Sequence, residues 1–161
     1  MTNEQQTAQA PDNPGTRMPP PILLLAVMSA GYCLQQLWAL EVAKGSGWHS
    51  AAWALIGVGS LILVAGWVQF FNAETNILHD KPASNVIQCG LYRFSRNPIY
   101  VSGLVLQLGI ALLTNNLWIV LLLPVSKRLL DKYVIAREEA YLERAFGEIY
   151  LDYRRSVRRW L

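Results

Sequence analysis

Two stretches of the chain, Pro21–Leu40 and Ala51–Phe71, contain no Asp, Glu, Lys or Arg. A bilayer-crossing helix needs about 20 predominantly apolar residues, and both runs meet that length. Inside hydrocarbon the backbone has no water to bond, so such runs read as helices that satisfy their own amides. Bulk composition agrees: 16% of the 161 residues are charged and 53% are hydrophobic, with mean hydropathy +0.23. Soluble domains carry about a quarter charged residues. The first run holds Gln35 and Gln36, which predicts that one of its faces meets protein or headgroups. In the second, Gly57, Gly59 and Gly66 permit close helix contact. Trp48, Trp53 and Trp67 are placed to mark the two membrane interfaces.

The remaining segments fix the expected topology. Residues 1–20 are rich in Gln, Asn, Pro and Thr and read as a disordered tail without an export signal. Residues 21–161 read as one membrane domain. Cys33 and Cys89 fall in no disulfide or metal-ligand pattern, so no metal site is expected. Glu41–Ser50 is a short polar link in which His49 reads as an exposed loop residue. Asn72–Asn97 reads as a polar loop, long enough to suggest function. Pro98–Val125 is either one span with a polar defect at Thr114-Asn115-Asn116 or a helical hairpin turning there. Charge placement favours the hairpin. A turn puts Lys81, Arg93, Arg96 and every basic residue from Lys127 onward on one side, leaving Lys44 opposite, as the positive-inside rule requires. The expectation is therefore an all-α integral membrane bundle of four transmembrane helices, with both termini cytoplasmic in a bacterial inner membrane. The third and fourth runs are short for spans. Pro124 is placed to kink the fourth. Ser126–Trp160 reads as a helical tail broken at Gly147, its last dozen residues forming an interfacial helix. That helix carries Tyr150, Tyr153, Val157 and Trp160 on one face, flanked by Arg154, Arg155, Arg158 and Arg159.

Between these apolar runs lies the polar, basic stretch Gly90–Gly103. Asn97-Pro98 predicts a helix start: Asn can cap free amides, and Pro fits the first helical position. The helix N-terminus suits a carboxylate or phosphate. The same residues also fit a capped membrane helix anchored by Tyr and Arg.

Three pieces then fall in order: Ser84-x-x-Ile87-x-x-Gly90-x-Tyr92; Arg96-Asn97-Pro98-x-Tyr100-x-x-Gly103; and Glu138-Glu139-x-x-Leu142-x-x-x-Phe146-Gly147-x-x-Tyr150-x-x-Tyr153. Together, over about Phe70 to Val157, they resemble the isoprenylcysteine carboxyl methyltransferase family, which groups with membrane phospholipid methyltransferases. The resemblance implies an integral-membrane methyltransferase using S-adenosylmethionine (AdoMet) at the cytoplasmic face. It implies cofactor contacts at Ser84, Asn85, Val86, Ile87, Tyr92, Asn97, Pro98, Ile99, Tyr100 and Glu138. Asn97 stands where many members have His, so no general base is assigned there and no residue is named as catalytic. Val134 stands where some eukaryotic members have Arg, which leaves the acceptor open: a small or lipophilic carboxylate, thiol or amine.

AdoMet offers a carboxylate, an ammonium, a sulfonium and an adenine. The helix start at Asn97-Pro98 suits the carboxylate and Glu138 the ammonium. Tyr92 and Tyr100 suit the sulfonium or adenine, since aromatic faces attract cations. Backbone groups of Ser84–Ile87 suit the adenine edges. Arg144, nearly two turns past Glu138, is a candidate headgroup or substrate contact. The expected partners are the lipid bilayer and the methyl acceptor, with no nucleic acid. A non-enzymatic membrane protein that retains this scaffold is the competing reading. A channel is disfavoured because the spans lack charged residues at their middles.

Overall fold

The computed structural model describes residues 19–45, 47–77 and 86–161, without the side chains of 73–77. Among these residues every regular element is helical: α1 (Pro20–Leu37), α2 (His49–Ile77), a 3-10 turn (Gly90–Arg93), α3 (Pro98–Leu113), α4 (Leu117–Leu121), α5 (Leu123–Leu130), a π turn (Asp131–Ile135), α6 (Ala136–Phe146) and α7 (Glu148–Ser156). Two helices, Pro20–Leu37 and His49–Asn72 within α2, are long and apolar enough to cross a membrane. They expose Leu25, Trp53, Leu61, Val64 and Phe71, an apolar surface that water would not tolerate at this extent. α3 is an apolar helix of 16 residues, about 24 Å long.

The first two helices differ from their expected bounds at the ends. α1 stops at Leu37 because the chain turns there: Leu40 N–H donates to Gln35 Oε1 at 3.1 Å. α2 continues past Phe71 to Ile77, since a helix leaving the apolar layer keeps its own hydrogen bonds among polar residues. The expected disorder of residues 1–20 concerns residues that, apart from Pro19 and Pro20, lie outside those described.

α3 lies between α1 and α2. A Cβ added at Gly103 would stand 2.7 Å from Leu24 of α1, and one at Gly59 would stand 2.8 Å from Leu106 of α3. Gly66 likewise meets Ile99, whereas Gly57 faces open space, so two of the three predicted contact glycines serve that purpose. The α3 side approaches α2 closely as well: a Cβ at Gly109 would meet Ile56 Cγ1 at 2.8 Å and the Ala52 carbonyl at 3.2 Å.

Thr114–Asn116 is a turn, as charge placement predicts. Asn115 takes the left-handed conformation, φ 48°, which Asn tolerates. Its Oδ1 accepts the Val42 N–H at 2.9 Å. Asn116 caps α4 by accepting the Ile119 N–H. The turn therefore meets the α1–α2 link at one end of the bundle. The helix after it is interrupted at Leu122, two residues before Pro124, as a proline without an N–H would cause. It then runs through a π turn into α6, ending at Gly147, φ 51°. Residues 86–97, α6, α7 and the C-terminus gather at the other end of the bundle.

The predicted interfacial helix over the last dozen residues is not what forms. α7 ends at Ser156, and Val157 is extended. Tyr150 and Tyr153 are buried against protein rather than turned to headgroups. Arg159 and Trp160 fold back toward Asp131. The reason is charge: the buried Glu139 on α6 and the half-buried Asp131 in the π turn bind the arginine more strongly than a lipid surface in high dielectric would.

The glycine packing gives a test. Gly109→Val is expected to destabilise the protein by about 1–3 kcal/mol through overpacking against α2 backbone, while Gly57→Val leaves stability within about 0.5 kcal/mol. Unfolding in mild detergent measures both, and equal stabilities would contradict the packing.

Candidate functional site

The 3-10 turn at Gly90–Arg93 is set by Gln69 of α2, whose Oε1 accepts the Leu91 N–H at 3.0 Å. Gly90 has φ 56°, and a Cβ there would strike the Gln69 amide at 2.5 Å, so both backbone angle and space require glycine. The turn delivers Tyr92, half-buried, whose carbonyl accepts the Tyr153 hydroxyl at 2.7 Å. Six residues after Tyr92, Pro98 opens α3 and is buried.

Tyr100 sits in the first turn of α3, packed against the core of Leu23, Val27, Leu130 and Val134. Its hydroxyl donates to Glu138 Oε1 at 2.6 Å. Glu138 reaches it from α6, just past the π turn, an irregularity that often marks functional positions because it re-aims the helix face. Burial pushes the Glu138 carboxyl pKa up; the Tyr100 hydrogen bond opposes this and the neighbouring Glu139 charge adds to it. Burial, and then the charge of Glu138, push the Tyr92 hydroxyl up to about 12. Tyr92, Tyr100 and Glu138 thus form one half-buried group of two aromatic rings and a carboxylate. Among the described residues no Lys, Arg or His pairs with Glu138. A half-buried carboxylate beside aromatic faces has the chemistry to hold a small organic cation.

The other sequence-predicted residues fall as follows. Val86 and Ile87 are half-buried in the segment before the 3-10 turn, and Ile99 follows Pro98 in α3. Ser84 and Asn85 lie outside the described residues. Asn97 occupies the N-cap position but its side chain makes no capping bond, a correction to the expected cap. Instead its Nδ2 donates to the Arg159 carbonyl at 2.9 Å, and its own N–H is taken by Ser95 Oγ at 3.1 Å. Arg144 is exposed near the end of α6 and is not brought to the Glu138 carboxylate.

In the sequence Glu139 enters only as the motif neighbour of Glu138, with no role assigned to it. It is 7% exposed. Arg96 Nη1 lies 2.9 Å from Glu139 Oε1 and donates to the Tyr150 hydroxyl at 3.3 Å. Arg159 grips both Glu139 oxygens, Nε to Oε1 at 3.0 Å and Nη2 to Oε2. Only its distance from Arg96 and Arg159 in the chain hid this pairing. Asp131 in the π turn collects Lys127 at 3.0 Å and Trp160 Nε1 at 3.0 Å. Burial works to raise the Asp131 pKa, but these two hydrogen bonds and the charges of Lys127 and Arg159 hold it below the ordinary value.

An apolar groove of about 510 Å³ runs between α1 and α5, lined by Leu23, Val27, Leu122, Val125, Leu129 and Tyr133. It reaches Arg137, the residue before Glu138.

A family model described as phospholipid methyltransferase matches residues 48–149. That span contains the 3-10 turn, all of α3 and α6, and Glu138. An uncharacterized protein of Haemophilus influenzae is 38% identical over 63 residues, covering 39% of this chain and 100% of that protein. No solved structure matches the chain.

The raised pKa of Glu138 has a testable sign. Its carboxyl is easier to ionise unfolded than folded, so it costs stability as pH rises from the ordinary carboxylate range through its folded pKa. Glu138→Gln keeps the acceptor for Tyr100 and removes that cost. The ligand-free variant is expected to melt above the wild type at about pH 8 and alongside it at about pH 4, where Glu138 is largely protonated in both states. A lower melting point at the higher pH would contradict the assignment.

Proposed function

The chain belongs to the phospholipid methyltransferase family, and from that premise we propose that it is a membrane methyltransferase using AdoMet as donor and acting on a lipophilic acceptor. The observation that carries the proposal is the half-buried Glu138 carboxylate, which accepts the Tyr100 hydroxyl near Tyr92 and pairs with no cation among the described residues. AdoMet has the complementary groups: an ammonium for Glu138 and a sulfonium for the tyrosine faces. Pro98, Ile99 and the first turn of α3 lie beside Tyr100, where the helix dipole favours the donor's carboxylate. Val86 and Ile87 supply apolar surface and backbone edges for the adenine, with Ser84 and Asn85 just upstream.

The donor brings an activated methyl group, so the protein's task is alignment and exclusion of water. When bound beside Tyr100 and Glu138, the donor would supply its methyl carbon to the acceptor's lone pair and leave as a neutral thioether. The α1–α5 groove suits an apolar acceptor lying along the bundle with its reactive end toward Arg137 and Glu138. Four spans, the last formed by α4 and the apolar start of α5, and a cytoplasmic site follow from the charge distribution. A bacterial inner membrane fits this arrangement.

Isothermal titration of AdoMet into the purified protein in detergent tests the donor reading. Saturable binding is expected, weakened by Glu138→Gln by roughly 1.5–3 kcal/mol, while Arg155→Ala, in an exposed ion pair, binds as the wild type does. Absence of binding to the wild type would overturn the proposal. Transfer of label from methyl-labelled AdoMet into the organic phase of a membrane extract is expected for a lipophilic acceptor. Label confined to the aqueous phase would contradict that choice.

A further inference from the structure

The C-terminal segment Arg158–Trp160 lies beyond the family-matched residues 48–149, yet it touches the start of α3, the π turn and α6. Its backbone crosses the start of α3: the Arg158 carbonyl accepts the Arg96 N–H at 3.0 Å. The Arg159 carbonyl accepts Asn97 Nδ2 at 2.9 Å and Ser95 Oγ at 3.3 Å. Its side chains cross to the other wall. Arg159 holds Glu139 through both carboxylate oxygens and reaches Asp131 Oδ1 at 3.5 Å. Trp160 donates to Asp131 at 3.0 Å, packs on the core of Leu130, Val134 and Ile135, and lies under Lys127 Nζ at 4.9 Å.

We propose that this segment is a strap whose Arg159 positions the donor site, by tying the Ser95–Pro98 start of α3 to the Glu138-Glu139 start of α6. The proposal rests on the AdoMet reading of the site.

Three features require it. Tyr100 and Glu138 come from different helices, and what joins them directly is the 2.6 Å hydrogen bond. A single hydrogen bond contributes little net, so it does not by itself hold two helices in register for a ligand. The adjacent Glu139 has its charge satisfied twice, by Arg96 from the α3 side and by Arg159 from the strap. The two neighbouring carboxylates therefore divide the work: Glu139 is consumed in fixing the walls, and Glu138 is left for the ligand's cation. Finally, Asn97 spends its side-chain amide on the strap rather than on the helix cap. Arg159 touches neither donor nor acceptor, so it is a positioning residue. Its guanidinium fork matches a carboxylate at two points, which a lysine ammonium does not.

The test is AdoMet titration of full-length wild type, Arg159→Ala, Arg159→Lys and Arg155→Ala in detergent, with amide hydrogen exchange on the ligand-free proteins. Arg159→Ala is expected to weaken binding at least about tenfold and to speed exchange at Tyr100 and Val101, whose amides bond to the Asn97 carbonyl. Exchange in α2 should not change. Arg159→Lys falls between, and Arg155→Ala matches the wild type. Folded Arg159→Ala with wild-type affinity and exchange overturns the strap while leaving the donor reading intact. If Arg159→Ala does not fold, wild-type affinity in Arg159→Lys overturns it. A wild type that binds no AdoMet overturns both.

Discussion

The ion cluster centred on Glu139 is the constraint on which the site depends. Glu139 is buried, and a buried carboxylate must be paired or neutralised. Arg96 and Arg159 both do so, one from the segment before α3 and one from the C-terminus. Removing either guanidinium leaves charge uncompensated in a poorly solvated place. The cluster therefore fixes where α6 lies relative to α3, and with it the distance between Tyr100 and Glu138. Along the rest of the bundle, packing is looser in chemistry and tighter in space. Apolar side chains face outward, and small residues such as Gly109 let α2 and α3 approach until backbone meets side chain.

The same arrangement explains why one carboxylate of the pair stays available. Among the described residues Glu138 receives a hydroxyl rather than a cation, and burial raises its pKa, so ionisation is resisted in the ligand-free protein. The proposed donor would bring the positive charge that complements this carboxylate. Some stability is given up for that readiness, as is usual where a buried polar group serves binding.

Much of this was legible in the sequence, for physical reasons. Charge-free runs announce helices in apolar surroundings, so α1 and α2 were found within a few residues. Asn97-Pro98 announced the start of α3, Thr114–Asn116 the turn, and Gly147 the break after α6. Tyr92, Tyr100 and Glu138 were picked out through the family resemblance, and the structure brings them together. What the sequence hid depends on contacts across long separations. Nothing local marks Glu139 as buried, because its partners stand 43 and 20 positions away at Arg96 and Arg159. The basic C-terminus resembles an interfacial helix in composition, and only the acidic residues it meets reveal a strap. The π turn has no local sequence signature, and it shifts the face on which the two glutamates emerge. Asn97 was read as a cap because that is the local option; a carbonyl brought from residue 159 competes for its amide and prevails.

The most direct measurement is photo-cross-linking of methyl-labelled AdoMet to the purified protein, followed by peptide mapping. The account predicts saturable label in the segment from Val86 to Tyr100 and in the α6 segment around Glu138, both competed by unlabelled donor. Label confined to the Leu37–Gly47 link at the other end of the bundle, or no label above that of the unfolded chain, would contradict it.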